Sequence, residues 1–170
     1  MARLKLITDR DGLTGPQLEV YDWVVASRGS MIPPYQVLLH TPAMARPAAE
    51  LGHQIRYEGS LADHDRELAI LTTGSHHDCQ YQWDSHVGLA AAAGVRPAVI
   101  EMLAGAEAVL TSHEDLIVGF VRELCATSTV TDDTYGNAAA VLGTEGVVEL
   151  ATLVGYYTLL AFTMSVAGAC

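Results

Sequence analysis

The stretch Glu67–Gly94, ELAILTTGSHHDCQYQWDSHVGLAAAAG, decides the reading of this chain of 170 residues. Glu67, His76, His77, Cys79, Gln82, Trp83 and His86 recur in it at helical spacing inside an apolar pattern. Elsewhere the apolar faces are mostly Ala, Leu and Val. At 3.6 residues per turn, positions 79, 82, 83 and 86 share one helix face. Glu67 belongs to the preceding helix, and a turn predicted at Gly74-Ser75 folds its carboxylate back toward that face. A carboxylate, an amide and an imidazole then converge in apolar surroundings, where each pKa is open to tuning.

Reading outward, Ser75 with Asp78 forms a capping pair for a helix from about 76 to 93, closed by Gly94. Ser60 or Asp63 caps the helix before it, which carries Arg66, Leu68, Ile70 and Leu71. Further upstream, Thr14 with Pro16 starts a helix that stops at Arg28-Gly29-Ser30, and residues 1–12 form an extended or frayed arm. Pro33-Pro34 opens the next element. Pro42 and Pro47 interrupt it, which predicts a short helix, a turn near His40-Thr41-Pro42 and a longer helix to about Tyr57. Downstream, Pro97 begins a helix reaching Leu110, and Ser112 caps one carrying Leu116, Ile117, Phe120, Val121 and Leu124. Thr131-Asp132-Asp133 starts a short helix to Gly143, and the last helix runs from Val147 to about Val166. No stretch alternates at period two between hairpin turns. The expected fold is therefore all-α, with seven or eight helices in a single domain over residues 1–170 and a core from about 14 to 168.

Composition narrows the function classes. Nine basic residues against 20 acidic ones give a net charge of -11, which speaks against nucleic acid and anionic membrane surfaces as partners. Half the residues are hydrophobic and only 17% are charged, which points to apolar surface covered by further copies of the chain. Cys79, Cys125 and Cys170 are widely spaced and odd in number, with no leader pattern at the N-terminus, so a reducing cytoplasm is expected. The uncharged run 150–170 has the length of a membrane span, but its Gly, Tyr, Thr and Ser content and the lack of a basic flank favour a helix buried in the core or between subunits.

Spacing also limits the chemistry. Cys79 and His86 lie seven residues apart, about 10 Å along a helix axis, too far for direct proton transfer. Gln82 and His86 are one turn apart and can touch. Cys79 sits near a helix N-terminus, where the dipole lowers a thiol pKa. Against these stand ordinary structural roles: a packed Cys, a packed Trp, or a Glu67 ion pair with Arg66, Arg56 or Arg96. His76 and His77 at a helix start read as solvent-facing or capping. A metal site from His77, Cys79 and His86 is disfavoured, because a seven-residue separation does not bring two ligands onto one ion, so no metal is expected. The echo of Glu67–Leu71 (ELAIL) in Glu149–Leu153 (ELATL) is followed by YYTLLAFTMS, without Cys or His.

The pattern Glu67, then Cys79-Gln80-Tyr81-Gln82-Trp83, then His86 and Gly94 resembles the carboxymuconolactone decarboxylase family, which includes the alkylhydroperoxidase D proteins. PPYQVLLHTPAMA, Asp65-Arg66-Glu67-Leu68-Ala69-Ile70-Leu71 and GVVELATLVGYYTLLA support it, and the resemblance covers about residues 14–168. It implies an all-α fold in trimers or hexamers, with active sites near subunit contacts. The peroxidase branch carries Cys-x-x-Cys, whose second position here is Gln82, so its dithiol mechanism is put in doubt. Decarboxylase-like relatives often hold Glu at the same position.

Two chemistries follow. In the first, Glu67 orients His86 as general acid or base on a small organic acid or lactone, for decarboxylation, isomerisation or hydrolysis. Gln82 holds a substrate oxygen or a water, Cys79 shapes or assists the site, and no cofactor is required. In the second, Cys79 is oxidised and resolved by an external thiol or another cysteine, as in a thiol peroxidase. A third reading is a non-catalytic assembly or binding member of the family. Tyr35, Tyr81 and Trp83 are candidate substrate-lining residues.

Overall fold

The structure is a computed structural model that describes residues 3–170. Its described residues contain eight α-helices and no strand, as the sequence pattern predicts. They are α1 (Pro16–Arg28), α2 (Pro33–Leu38), α3 (Pro42–His53), α4 (Asp63–His76), α5 (Gln80–Ala92), α6 (Pro97–Leu103), α7 (Ser112–Thr127) and α8 (Asp132–Ala167). A π-helical turn, Gln54–Glu58, prolongs α3.

Two compact units can be distinguished, residues 59–158 and residues 3–58 with 159–170. In the first, α4 packs against α5, α6 and α7. Every residue from Glu67 to Gly74 is buried. A helix enclosed on all sides has no polar face to show in its sequence, and α4 keeps its two buried threonines satisfied internally. Thr72 Oγ1 donates to the Leu68 carbonyl at 2.7 Å, and Thr73 Oγ1 to that of Ala69 at 2.8 Å. Around α4 lie Val99 of α6 and Ile117, Val118 and Val121 of α7, all essentially without exposure.

The other unit holds α1, α2 and α3, where Val24, Tyr35, Leu39, Ala45 and Ala49 are buried. The Arg46 guanidinium lies 4.5 Å from the Trp23 ring centre, a cation–π contact linking α3 to α1. Of the arm expected over residues 1–12, residues 1 and 2 lie outside the described residues, and the rest is tethered. Ile7 N–H donates to the Gln36 carbonyl at 3.2 Å, and the Lys5 carbonyl lies 2.7 Å from His40 Nε2.

Several expected boundaries move, each for a local reason. Gly74-Ser75 is not a turn: α4 continues to His76, and the reversal falls at His77-Asp78, with Asp78 left-handed at φ 49°. Asp tolerates that conformation through its short polar side chain. Gly74 serves close packing instead, because a Cβ there would sit 3.2 Å from Gln82 Cβ. Ser75 consequently caps nothing, and its hydroxyl donates to the Leu103 carbonyl at 2.7 Å. Neither Ser60 nor Asp63 caps α4, whose N-cap is Ala62, and Thr14 does not cap α1, whose N-cap is Gly15. At α7 the cap is Thr111, one residue before the expected Ser112, in a capping box with Glu114. Pro47 lies inside α3 without ending it. The break expected at Gly143 is present as a non-helical residue (φ 69°, ψ 175°) within α8.

By length and composition α8 could cross a membrane, and half of its most apolar window is buried inside the protein.

Candidate active site

The site is built where α5 lies against α4. On α5 the buried residues are Gln82, His86 and Ala90, a stripe at i, i+4 and i+8. Two of the three are polar, and each finds a partner. His86 Nδ1 lies 2.7 Å from Glu67 Oε2, with both side chains over 90% buried. Gln82 Nε2 donates to the Tyr157 carbonyl at 2.6 Å. The Tyr157 ring meets the imidazole of His86 edge to face, with centroids 5.3 Å apart.

The Glu67 bond fixes the imidazole's tautomer. A carboxylate accepts only, so Nδ1 carries the proton and Nε2 is left as the position that takes up or gives one. None of the arginines considered as partners of Glu67 is used in that way: Arg66 pairs with Asp63 and Arg96 with Glu114.

Gln82 departs from the expected geometry in one respect. Its amide nitrogen is committed to Tyr157, and the carbonyl acceptor there settles which end of the amide is which. The remaining Oε1 is buried and has no hydrogen-bond partner among the described residues. A buried acceptor left without a donor is costly. Gln82 thus offers an acceptor, suited to an O–H or N–H group.

Cys79, the N-cap of α5, is 1% exposed, and its backbone carbonyl accepts from Trp83 N–H at 3.1 Å. It lines a cavity of about 320 Å³ together with Gly74, Asp78, Trp83 and Leu103. Glu67, Gln82 and His86 do not line that cavity. The described structure therefore brings Glu67 to His86, and Trp83 to the same cavity as Cys79. Tyr81 is half-buried on α5. Tyr35 lies in the other unit, buried beneath the Arg28 guanidinium at 4.9 Å. His76 is exposed, whereas half-buried His77 meets Thr158 Oγ1 at 3.0 Å. Burial, and then neighbouring His76, push the His77 pKa below its ordinary value. Burial raises that of Cys125, which disfavours its thiolate.

Tyr157 is the residue that the sequence reading missed. Its only sequence signal was the aromatic pair Tyr156-Tyr157 within an Ala, Leu and Val helix, just past the echo of the Glu67 segment. For metals, His77, Cys79 and His86 do not form a ligand cluster. The grouping whose ligand atoms do lie close together among the described residues is His64, Asp65 and His113.

Residues 42–112 match the model of the carboxymuconolactone decarboxylase family, which is 71 of the 170 residues. The matched segment contains Glu67, Cys79, Gln82 and His86, and the resemblance carried by those residues is to this family. Tyr157 lies beyond it. No curated protein matches the chain.

Proposed function

We propose that this protein catalyses acid–base chemistry on a small organic acid or lactone through its own side chains, with His86 as proton carrier and Glu67 as its positioning group. The observation that carries the reading is the buried 2.7 Å bond from His86 Nδ1 to Glu67. With Nδ1 engaged, Nε2 exchanges a proton with the guest, and the resulting imidazolium is stabilised by the carboxylate. Gln82 Oε1 accepts from a hydroxyl or acid proton of the guest. The outcome is decarboxylation, isomerisation or hydrolysis, and the family match supports the first most directly. The test is turnover of a panel of small unsaturated lactones and oxo acids, followed by CO₂ release and ultraviolet absorbance. Wild-type protein should turn over one class, and His86→Ala should lose about 10² to 10⁴ of the rate. Full turnover by His86→Ala overturns the reading.

A second reading rests on Cys79 as a wall of the 320 Å³ cavity. Cys79 is held in a disulfide, so in this reading an external thiol first opens that bond, the freed thiolate takes one oxygen from a peroxide with release of an alcohol, and two further thiols return the sulfenic acid to the thiol as water and a disulfide leave. Peroxide consumption that disappears in Cys79→Ser and survives in His86→Ala would select this reading over the first.

Self-association is also proposed. Leu159, Phe162 and Val166 follow one another at i, i+3 and i+7 on α8, and are 42%, 57% and 64% exposed. Light scattering should report a trimer or hexamer, and Phe162→Glu should reduce it to smaller species.

A further inference from the structure

Ahead of Glu67 on the same helix, a second carboxylate is held by two imidazoles in a different way. Asp65 is 5% exposed in the first turn of α4. Its Oδ1 lies 2.9 Å from His64 Nδ1 and 2.8 Å from Nε2 of His113, in the first turn of α7. No Lys or Arg is within ion-pair distance of Asp65 among the described residues. The neighbouring Arg66 turns to Asp63 at 2.6 Å instead. A buried carboxylate is costly unless its charge is met, and here only two imidazole N–H groups meet it.

We infer that His64, Asp65 and His113 form a binding site for a divalent transition-metal ion of the zinc class. Three observations carry this. Donor type is the first: two imidazole nitrogens and one carboxylate oxygen are a set that zinc accepts, with room left for a fourth ligand. The second is geometry. The three ligand atoms lie within 4.8 Å of one another, so small rotations suffice. In a tetrahedral site with metal–ligand bonds of about 2.0 to 2.2 Å, ligand atoms stand roughly 3.3 Å apart. The two histidines have the freedom to make that adjustment, since their side chains are 28% and 44% exposed. Access is the third. His113 lines a cavity of about 530 Å³, whose wall also holds Asp115 and Asn137, and solvent there supplies the fourth ligand.

Protons balance without an outside partner. A neutral imidazole carries one proton, and on metal binding it moves to the other ring nitrogen: Nε2 in His64 and Nδ1 in His113. Asp65 exchanges two N–H donors for the cation. The ion would then clip the start of α4 to the start of α7, two helices already in contact.

The experiment uses the full chain, stripped with a chelator and titrated with Zn²⁺ alone by calorimetry, with Co²⁺ absorption as the coordination readout. One ion per chain is expected, with the visible bands of a tetrahedral Co²⁺ site and a higher melting temperature in zinc. His64→Gln and His113→Gln both keep a side-chain N–H donor for Asp65, so the fold is retained, and each should weaken Zn²⁺ binding at least tenfold. The double variant His76→Gln/His77→Gln should bind as wild type does. No Zn²⁺ binding by the wild type, or binding unchanged in His64→Gln and His113→Gln, overturns the assignment.

Discussion

Glu67 and Glu149 open nearly the same pentapeptide, ELAIL and ELATL, and the structure gives them unlike work. Opposite Glu67 stands an imidazole, a group able to change its own protonation. Glu149 meets fixed donors: the backbone N–H and hydroxyl of Ser60 at 2.8 and 2.6 Å, and Leu61 N–H at 3.2 Å. Burial alone would raise the Glu149 pKa, but those donors outweigh it and hold the value below the ordinary range. The carboxylate anchors the chain just before α4. The difference teaches that a glutamate's role is set by whether its partner can titrate, which the motif around it does not encode.

The strongest way to break the comparison is His86→Ala. It leaves the Glu67 carboxylate buried without its imidazole and should cost about 3 kcal/mol or more, measured by urea unfolding. If the cost stays within experimental error, the two glutamates are equivalent after all. Glu149→Gln comes next. Its amide keeps one acceptor but sets N–H against the donors of Ser60 and Leu61, for an expected loss of about 1 to 2 kcal/mol with turnover retained.

A third carboxylate, Glu114, belongs on the Glu149 side. The Arg96 guanidinium, at 2.8 Å from Nε, and then the Thr111 amide and hydroxyl hold its pKa down to about 2, against the opposing effect of burial. A depressed carboxylate contributes stability above its unfolded pKa, near 4.5, and loses it as pH falls toward 2. Replacing it by Glu114→Gln should flatten the stability profile between those two pH values and cost about 1 kcal/mol at neutral pH. An unchanged profile would remove Glu114 from the acid response. The smallest effect is expected from Gly74→Ala, whose Cβ would press on Gln82 Cβ at 3.2 Å. A loss of about 0.5 kcal/mol or less is expected, with a larger change in turnover than in stability if Gln82 holds the guest.

The helical class and most helices were legible because Pro opens α1, α2, α3 and α6 and Gly separates elements, whereas the expected side-chain caps of α1, α4 and α5 are not made. Glu67 and His86 were legible as a pair because both are rare types on neighbouring helices. Gly74 misled because a glycine inside a helix pattern reads as a stop, while here it serves contact with α5. The buried face of α5 was obscured for a different reason: its stripe is Gln82, His86 and Ala90, and Leu89 is 41% exposed, so hydrophobicity points the wrong way round. Tyr157 was out of reach because it lies 71 positions beyond His86 in sequence, and only folding places its ring there.

The complete enclosure of α4 from Glu67 to Gly74 has a kinetic consequence. Amides in such a helix exchange with solvent only when the surrounding unit opens as a whole, so their protection reports the full unfolding free energy. The carboxylate at the head of that run is as persistent as the fold.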